Sequence, residues 1–173
     1  MKKIIDNILH RWKEDALVKR TGAVARNASY KELKEIKSCL VFWTAENGKN
    51  IWFNKLQESF KGVKIDKLCF LPAGVEMLET DDMVVLRNED LKFKGVIENQ
   101  HLLALLREKY DLLIDFTANS NALINYVLTN THAACIVSMK KESSEADIVI
   151  DGVAGPVEFI EQLTGILSAI KKY

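Results

Sequence analysis

Two short polar segments follow apolar, strand-like runs, and they are where this sequence could bind a ligand. The first covers residues 44–50 and the second covers residues 117–121. Short hydroxyl and amide side chains, together with a lysine, can donate hydrogen bonds to an anion at a helix N-terminus. The candidate ligand-binding residues are Thr44, Asn47, Lys49, Asp115, Thr117, Asn119, Ser120 and Asn121. The alternative is structural, because Ser and Asn also cap helices and Asn-Gly marks a turn.

The other residues that could do chemistry form no catalytic or metal-binding motif. Asp111 and Asp115 share one face of a strand about 13 Å apart, which is too far for paired acid–base work, and Asp115 is the better polar-site candidate. The acidic stretch around residues 76–82 is interpreted as a solvated loop. No glycine-rich phosphate loop follows the first strand. We therefore predict no catalytic residue, no metal site and no cofactor. The isolated His and Cys residues are His10, His101, His132, Cys39, Cys69 and Cys135, and we expect the thiols to be buried and structural.

Alternating strand and helix patterns place these residues in a βαβ framework. Nearly continuous apolar runs indicate strands that are buried on both faces, and stripes with a 3.6-residue period indicate helices. The predicted strands cover residues 38–44, 63–71, 83–86, 110–116, 133–138 and 147–150. The predicted helices cover residues 3–19, the region of 52–60, 99–109, 121–130 and a segment that begins at Pro156. Residues 92–98 are a connector without an assigned structure.

The fold class that follows is α/β: a three-layer αβα, Rossmann-like domain with a mostly parallel sheet of about six strands and an appended N-terminal amphipathic helix. We expect the strands at residues 38–44 and 110–116 to be adjacent and central. If the strand order is 3-2-1-4-5-6, the carboxyl ends of these two strands flank the point where the order reverses. Ligands of open α/β sheets bind there.

The N-terminal segment differs in charge from the rest of the chain. Residues 1–37 carry ten basic and five acidic residues, a net charge of +5, and the remainder carries −5. The first helix has an apolar stripe formed by Ile4, Ile5, Ile8, Leu9 and Trp12. Such a stripe must be covered by its own domain, by a protein partner or second copy, or by a membrane surface. We divide the chain into a basic helix and loop (1–30) and an α/β domain (31–173), and we expect the polar loop at 20–30 to let the helix reach beyond its own domain.

Composition limits the class of protein. The chain has 173 residues, 48% of them hydrophobic and 28% charged, with a formal net charge of zero. These values are typical of one globular domain and argue against a nucleic-acid-binding protein. No apolar run is long enough for a membrane span and no secretory leader is visible, so we expect a cytoplasmic protein.

Several segments together resemble a known family. They are SCLVFWTAENG, DLKFKG, YDLLIDFTANSNALINYVLTNTHA and ADIVIDG. With the basic lead-in helix, they resemble an uncharacterised family of small Bacteroidetes-type bacterial proteins, a domain of unknown function. Members tend to place a basic turn after the fifth strand, where this chain has residues 136–139. The segment YDLLIDFTANSNAL is also similar to the acceptor half of heptosyltransferase-like glycosyltransferases.

Two classes of function remain open. The first is a non-enzymatic module that acts through protein–protein contact or self-association by its N-terminal helix. The second is a domain that binds a small phosphate- or sugar-nucleotide-like molecule, or acts as a transferase, in the crevice at the strand ends. Binding of a membrane surface by the basic helix is a third, weaker hypothesis.

Overall fold

The structure is a computed structural model that describes residues 1–46 and 52–171. In chain order its helices and strands are α1 (Lys2–Arg20), β1 (Ser38–Thr44), α2 (Trp52–Ser59), β2 (Lys64–Leu71), β3 (Met83–Arg87), β4 (Leu91–Lys92), β5 (Val96–Ile97), α3 (Gln100–Arg107), β6 (Lys109–Tyr110), β7 (Leu112–Phe116), α4 (Ala122–Asn130), β8 (His132–Ala133), β9 (Ile136–Ser138), β10 (Ile148–Val149) and α5 (Pro156–Ala169). Short 3₁₀ helices cover Leu33–Glu35, Asn88–Asp90 and Phe93–Gly95.

Six of the strands form one parallel sheet in the order β10-β9-β7-β1-β2-β3. When these six strands are numbered 1 to 6 in chain order, the sheet read from β3 to β10 has the order 3-2-1-4-5-6, which is the predicted order. β1 and β7 are adjacent and central, as predicted. Five of the seven side chains of β1 are buried, which agrees with a strand that is covered on both faces.

Helices cover both faces of the sheet, so the predicted three-layer arrangement is confirmed. One face packs against α3, α4 and the C-terminal part of α1, and its core includes Phe42, Leu113 and Leu123. The other face packs against α2 and α5, and its core includes Val41, Ile114 and Phe159. Successive strand residues therefore point to opposite layers, as strand geometry requires.

Two details differ from the sequence prediction. Residues 92–98, which had no assigned structure, belong to an antiparallel hairpin of β4 and β5 around a 3₁₀ turn. The predicted strands at 110–116 and 133–138 are each split, because β6 and β8 pair with each other outside the main sheet. Asp111 lies at one break, where its carboxylate accepts hydrogen bonds from the backbone N–H groups of Lys37 and Ser38.

Helix α1 packs on the domain with the side opposite its apolar stripe. Leu17 is buried, and the backbone of Gly95 comes so close that a Cβ there would lie 2.4 Å from the Leu17 nitrogen. Ile8 and Leu17 are nine residues apart, so they project about 180° apart around the helix. The five stripe residues are 40–63% exposed. Of the three possible covers, the domain itself is therefore not the one that the structure shows.

The segment that follows α1 is bound to the domain. The Arg26 guanidinium contacts both carboxylate oxygens of Asp147, at 2.7 and 3.1 Å. The backbone N–H groups of Val24 and Ser29 donate to the carbonyls of Thr129 and Ala134. These contacts fix the path of the loop, so it does not give α1 the reach that we expected. The division of the chain at residue 30 stays a prediction.

The three cysteines are free and buried, as predicted. Burial raises the pKa of the Cys69 and Cys135 thiols to about 12, and burial also raises the pKa of Cys39. A thiol that stays protonated is a poor nucleophile, so these side chains act as small hydrophobic groups. Separately, no helix in the described ranges is long and apolar enough to cross a bilayer.

Candidate functional site

A buried polar cluster lies at the carboxyl ends of β7 and β9, and Asp115 is its centre. The Asp115 side chain is fully buried. Its Oδ1 accepts hydrogen bonds from the backbone N–H of Thr117 at 3.0 Å and from the Thr117 hydroxyl at 2.5 Å. Its Oδ2 accepts a hydrogen bond from the Ser138 hydroxyl at 2.9 Å. Burial of a carboxylate is costly unless it is paired and hydrogen-bonded, and this one is both.

Lys140 supplies the charge that balances Asp115. Its ammonium Nζ lies 3.3 Å from Asp115 Oδ2 and donates to the Thr117 hydroxyl at 2.7 Å. The Lys140 side chain is only 16% exposed. An ammonium group has three donors, and these two contacts leave one for a further acceptor. The cluster can therefore hold its own charges in place and offer one cationic donor at the end of the sheet.

The other predicted site residues divide between capping, exposed and undescribed positions. Asn121 caps α4, because its Oδ1 accepts from the backbone N–H of Ile124 at 2.8 Å. The Thr44 hydroxyl accepts from the backbone N–H of Ala118 at 3.1 Å and so joins the two predicted turns. Asn119 and Ser120 are exposed. Asn47 and Lys49 lie outside the described residues.

Sequence reasoning missed Ser138 and Lys140. Ser138 pairs in register with Asp115, so a hydroxyl at the end of the fifth predicted strand was a usable signal once the strand order was known. Lys140 follows two residues later and places a basic side chain just after this strand. The resemblance had suggested a basic turn here, and this chain supplies that charge at residue 140 rather than within residues 136–139.

Asp111, at the opposite end of β7, is a structural clamp rather than a solvated edge residue. Its carboxylate contacts Lys31 Nζ at 2.5 Å and the Lys37 backbone N–H at 2.7 Å. Burial by itself would raise the pKa of Asp111, but the hydrogen bonds from Lys31, Lys37 and Ser38 outweigh it and lower the pKa below 3.8. Asp111 thus ties the start of β1 to the start of β7 and lies outside the candidate site.

An aromatic cluster occupies the other face of the sheet near the same strand ends. Trp52 packs edge-to-face against Trp43 and Phe116, with ring centroids 5.5 and 5.0 Å apart, and Phe116 packs likewise against Phe159. The indole N–H of Trp43 is buried and has no acceptor among the described residues. These rings fill this face of the sheet. The polar groups of the Asp115 cluster therefore lie on the other face, which is covered by α4.

The acidic loop before β3 is solvated, as predicted. Its four carboxylates at residues 76, 79, 81 and 82 are exposed. Asp82 pairs with Lys67, and Glu79 pairs with Arg87. Within residues 1–46 and 52–171, no group of three His, Cys, Asp or Glu side chains is placed to hold a metal ion.

The sheet order and its flanking helices define a Rossmann-like α/β domain. Over residues 10–170 the chain matches the family described as Family of unknown function (DUF6913), and it belongs to that family. The matched range covers the whole sheet and both core layers, but it begins after Ile4, Ile5, Ile8 and Leu9 of the apolar stripe. No curated protein and no solved structure matches the chain.

Proposed function

We propose that this protein is a non-enzymatic docking module that holds another surface through the apolar stripe of α1. The observation that supports this proposal is the orientation of the stripe: Ile4, Ile5, Ile8, Leu9 and Trp12 are exposed on the side of α1 that faces away from the domain. Exposed hydrophobic side chains that occur singly need no explanation, but a contiguous patch marks an interaction site.

The anchoring of α1 supports the same proposal. Leu17 and Gly95 lock the C-terminal half of the helix to the domain, while residues 1–9 are exposed all round. A helix of 19 residues is about 28 Å long, so its N-terminal half forms a rigid projection. We place the protein in the cytoplasm, because three unpaired cysteines suit a reducing compartment.

A matched pair of substitutions tests the docking function. Ile8→Asp puts a carboxylate into the stripe, and Asn7→Asp puts one on the same turn outside it. In a lysate of the cells that make this protein, we expect the wild type and Asn7→Asp to fractionate with a larger assembly or a membrane. We expect Ile8→Asp to elute at the mass of the 19.6 kDa monomer. If all three proteins fractionate alike, the docking proposal is wrong.

A second candidate function rests on the remaining donor of Lys140. The Asp115–Lys140 pair lies beside the point where the strand order reverses, which is where α/β sheets bind ligands. A phosphate-bearing molecule such as a sugar nucleotide would suit one cationic donor. The likeness of residues 110–123 to heptosyltransferase-like enzymes supports this class of ligand.

Thermal unfolding with added ligand tests this second candidate. We expect inorganic phosphate, nucleotides or sugar nucleotides to raise the melting temperature in a saturable way. The increase should be lost in Lys140→Met, whose folded state circular dichroism can verify. If none of these compounds changes the melting temperature of the wild type, the crevice does not bind this class of ligand.

A further inference from the structure

The helix that carries the apolar stripe has a net positive charge. It holds six basic residues against three acidic ones, a net charge of +3. One border of the stripe carries Lys2, Lys13 and Arg20 together with Asp6, and the other carries Arg11 together with Asp15. An exposed apolar strip on a basic helix is the pattern of helices that lie in a membrane interface.

A second exposed element of the same chemistry packs beside α1. Phe93 is 65% exposed, and its neighbours Lys92 and Lys94 are also exposed. Lys92 ends β4, and Phe93 and Lys94 belong to the turn between β4 and β5, whose Gly95 lies against the backbone of Leu17. An aromatic ring between two lysines has no role in the core. That contact is on the side of α1 opposite the stripe, so these side chains do not extend the stripe, and α1 itself must carry the binding.

We infer that the surface held by α1 is that of an anionic phospholipid bilayer, an inference that rests on the docking function proposed above. The Ile, Leu and Trp side chains of the stripe enter the boundary between headgroups and acyl chains, while Lys and Arg stay at the level of the anionic headgroups. The domain contacts α1 from the opposite side. A flat surface can therefore approach the stripe without meeting the α/β core.

Charge disfavours a second copy of the chain as the occupant. In an antiparallel two-fold pairing of two α1 helices, each border of the stripe faces the same border of the other copy. Lys2 and Lys13 would then face the same two lysines across the interface, with Asp6 as the one acidic residue on that border. Like charges at such positions oppose association, whereas an anionic headgroup layer is attracted by them.

Vesicle flotation with the purified full-length protein tests this inference. We expect binding to vesicles of phosphatidylcholine with about one-third phosphatidylglycerol, and binding at least about tenfold weaker to pure phosphatidylcholine. Raised salt should weaken the binding. Trp12 emission should shift to the blue on binding, because Trp43 and Trp52 are already buried. Absence of binding, or equal binding to both vesicles, would overturn the inference.

Three variants show whether the inferred surface is responsible. Ile8→Asp should weaken binding to the anionic vesicles by about tenfold or more, while Asn7→Asp should change it about twofold at most. Lys2→Gln with Lys13→Gln should weaken it by about 25-fold, since each lysine near an anionic surface contributes about fivefold. Binding that is unaffected by Ile8→Asp would also overturn the inference.

The two proposals fail in different ways. Suppose that the wild type binds neither kind of vesicle but forms an assembly in cell lysates that Ile8→Asp abolishes. The stripe then docks on a protein, and only the lipid inference is wrong. If the purified wild type forms a dimer that Ile8→Asp abolishes, the stripe likewise docks on a protein, and only the lipid inference is wrong. If no measurement distinguishes Ile8→Asp from Asn7→Asp, both proposals are wrong.

Discussion

The polar cluster at the end of the sheet and the apolar stripe on α1 differ in whether their side chains find partners within the protein. Asp115 is a charge inside the protein, yet it has partners in Thr117, Ser138 and Lys140. Ile8 and Trp12 are apolar side chains at the surface, 45% and 61% exposed, and they point away from their own core. The polar side chains of the first region have hydrogen-bond and ion-pair partners inside the protein, whereas the apolar side chains of the second region are left exposed to solvent.

This contrast shows why charged residues alone are a poor guide to function here. A buried carboxylate attracts attention as a catalytic candidate, but a complete set of hydrogen bonds gives it a structural role that needs no ligand. An apolar stripe is easily assigned to the core, but its exposure means that its stabilising contacts must come from another surface. Substitutions in the two regions should therefore have opposite effects on stability and on association.

In the polar cluster, the largest expected loss of stability comes from Lys140→Met. This change leaves the Asp115 carboxylate buried without its balancing charge, and breaking a buried pair in this way costs about 3 kcal/mol. Urea denaturation of the purified protein measures the loss. The double variant Asp115→Asn with Lys140→Met removes both charges and should be more stable than the single variant. A loss below about 0.5 kcal/mol for Lys140→Met would contradict the structural role of the pair.

The next largest effect is expected at the contact that anchors α1. Gly95 has φ +72°, and a Cβ there would lie 2.4 Å from the backbone nitrogen of Leu17. Gly95→Ala should cost about 2 kcal/mol, because it combines an unfavourable backbone conformation with a steric clash. Hydrogen exchange should show loss of protection in α1 and little change in β1 or β7.

Gly62 offers the control for that clash. It also has a positive φ, but a Cβ there meets no atom within 4 Å. Gly62→Ala should therefore show only the backbone part of the cost, about 1 kcal/mol. Equal losses at Gly95 and Gly62 would mean that the close approach to α1 does not contribute.

A smaller effect is expected at Asp111, and it depends on pH. The pKa of Asp111 is lower in the folded protein than its ordinary value of 3.8. Its contribution to stability is therefore present above that value and is lost as the pH falls through the lower folded pKa. Asp111→Asn should cost about 1.5 kcal/mol near pH 7, and the difference from wild type should shrink as the pH falls below 3.8. A constant difference across this range, or an equal loss for the exposed control Asp151→Asn, would contradict the assignment.

The fold could be predicted from the sequence because each core strand and helix carries its own local pattern. The apolar run of β1 and its equivalent in β7 indicated burial on both faces, and the short connections allowed few parallel topologies. The hairpin around Phe93–Gly95 could not be predicted, because its two-residue strands are too short to have a period. Its position depends on the tertiary contact with Leu17.

The candidate site was predicted only in part, for a similar reason. Asp115 and Thr117 were found because they end a recognisable strand. Lys140 was missed because its role depends on the neighbouring strand, which brings Ser138 into register with Asp115. Asn121 fits both a cap and a ligand contact in sequence, and only its bond to the Ile124 N–H distinguishes them. The orientation of α1 was likewise beyond the sequence, because periodicity identifies an apolar face without showing what it faces.

The smallest effect on stability is expected in the stripe itself. The double variant Ile5→Ser with Ile8→Ser should change the free energy of unfolding by no more than about 0.5 kcal/mol, because both side chains are exposed and leave no cavity when shortened. Leu17→Ala, on the same helix but buried, should cost about 3 kcal/mol. Urea denaturation of the three proteins gives this comparison directly. If the serine variant is as unstable as Leu17→Ala, the stripe packs on its own domain in solution. If it is as stable as the wild type, Ile5 and Ile8 do not stabilise the fold, as the docking proposal requires.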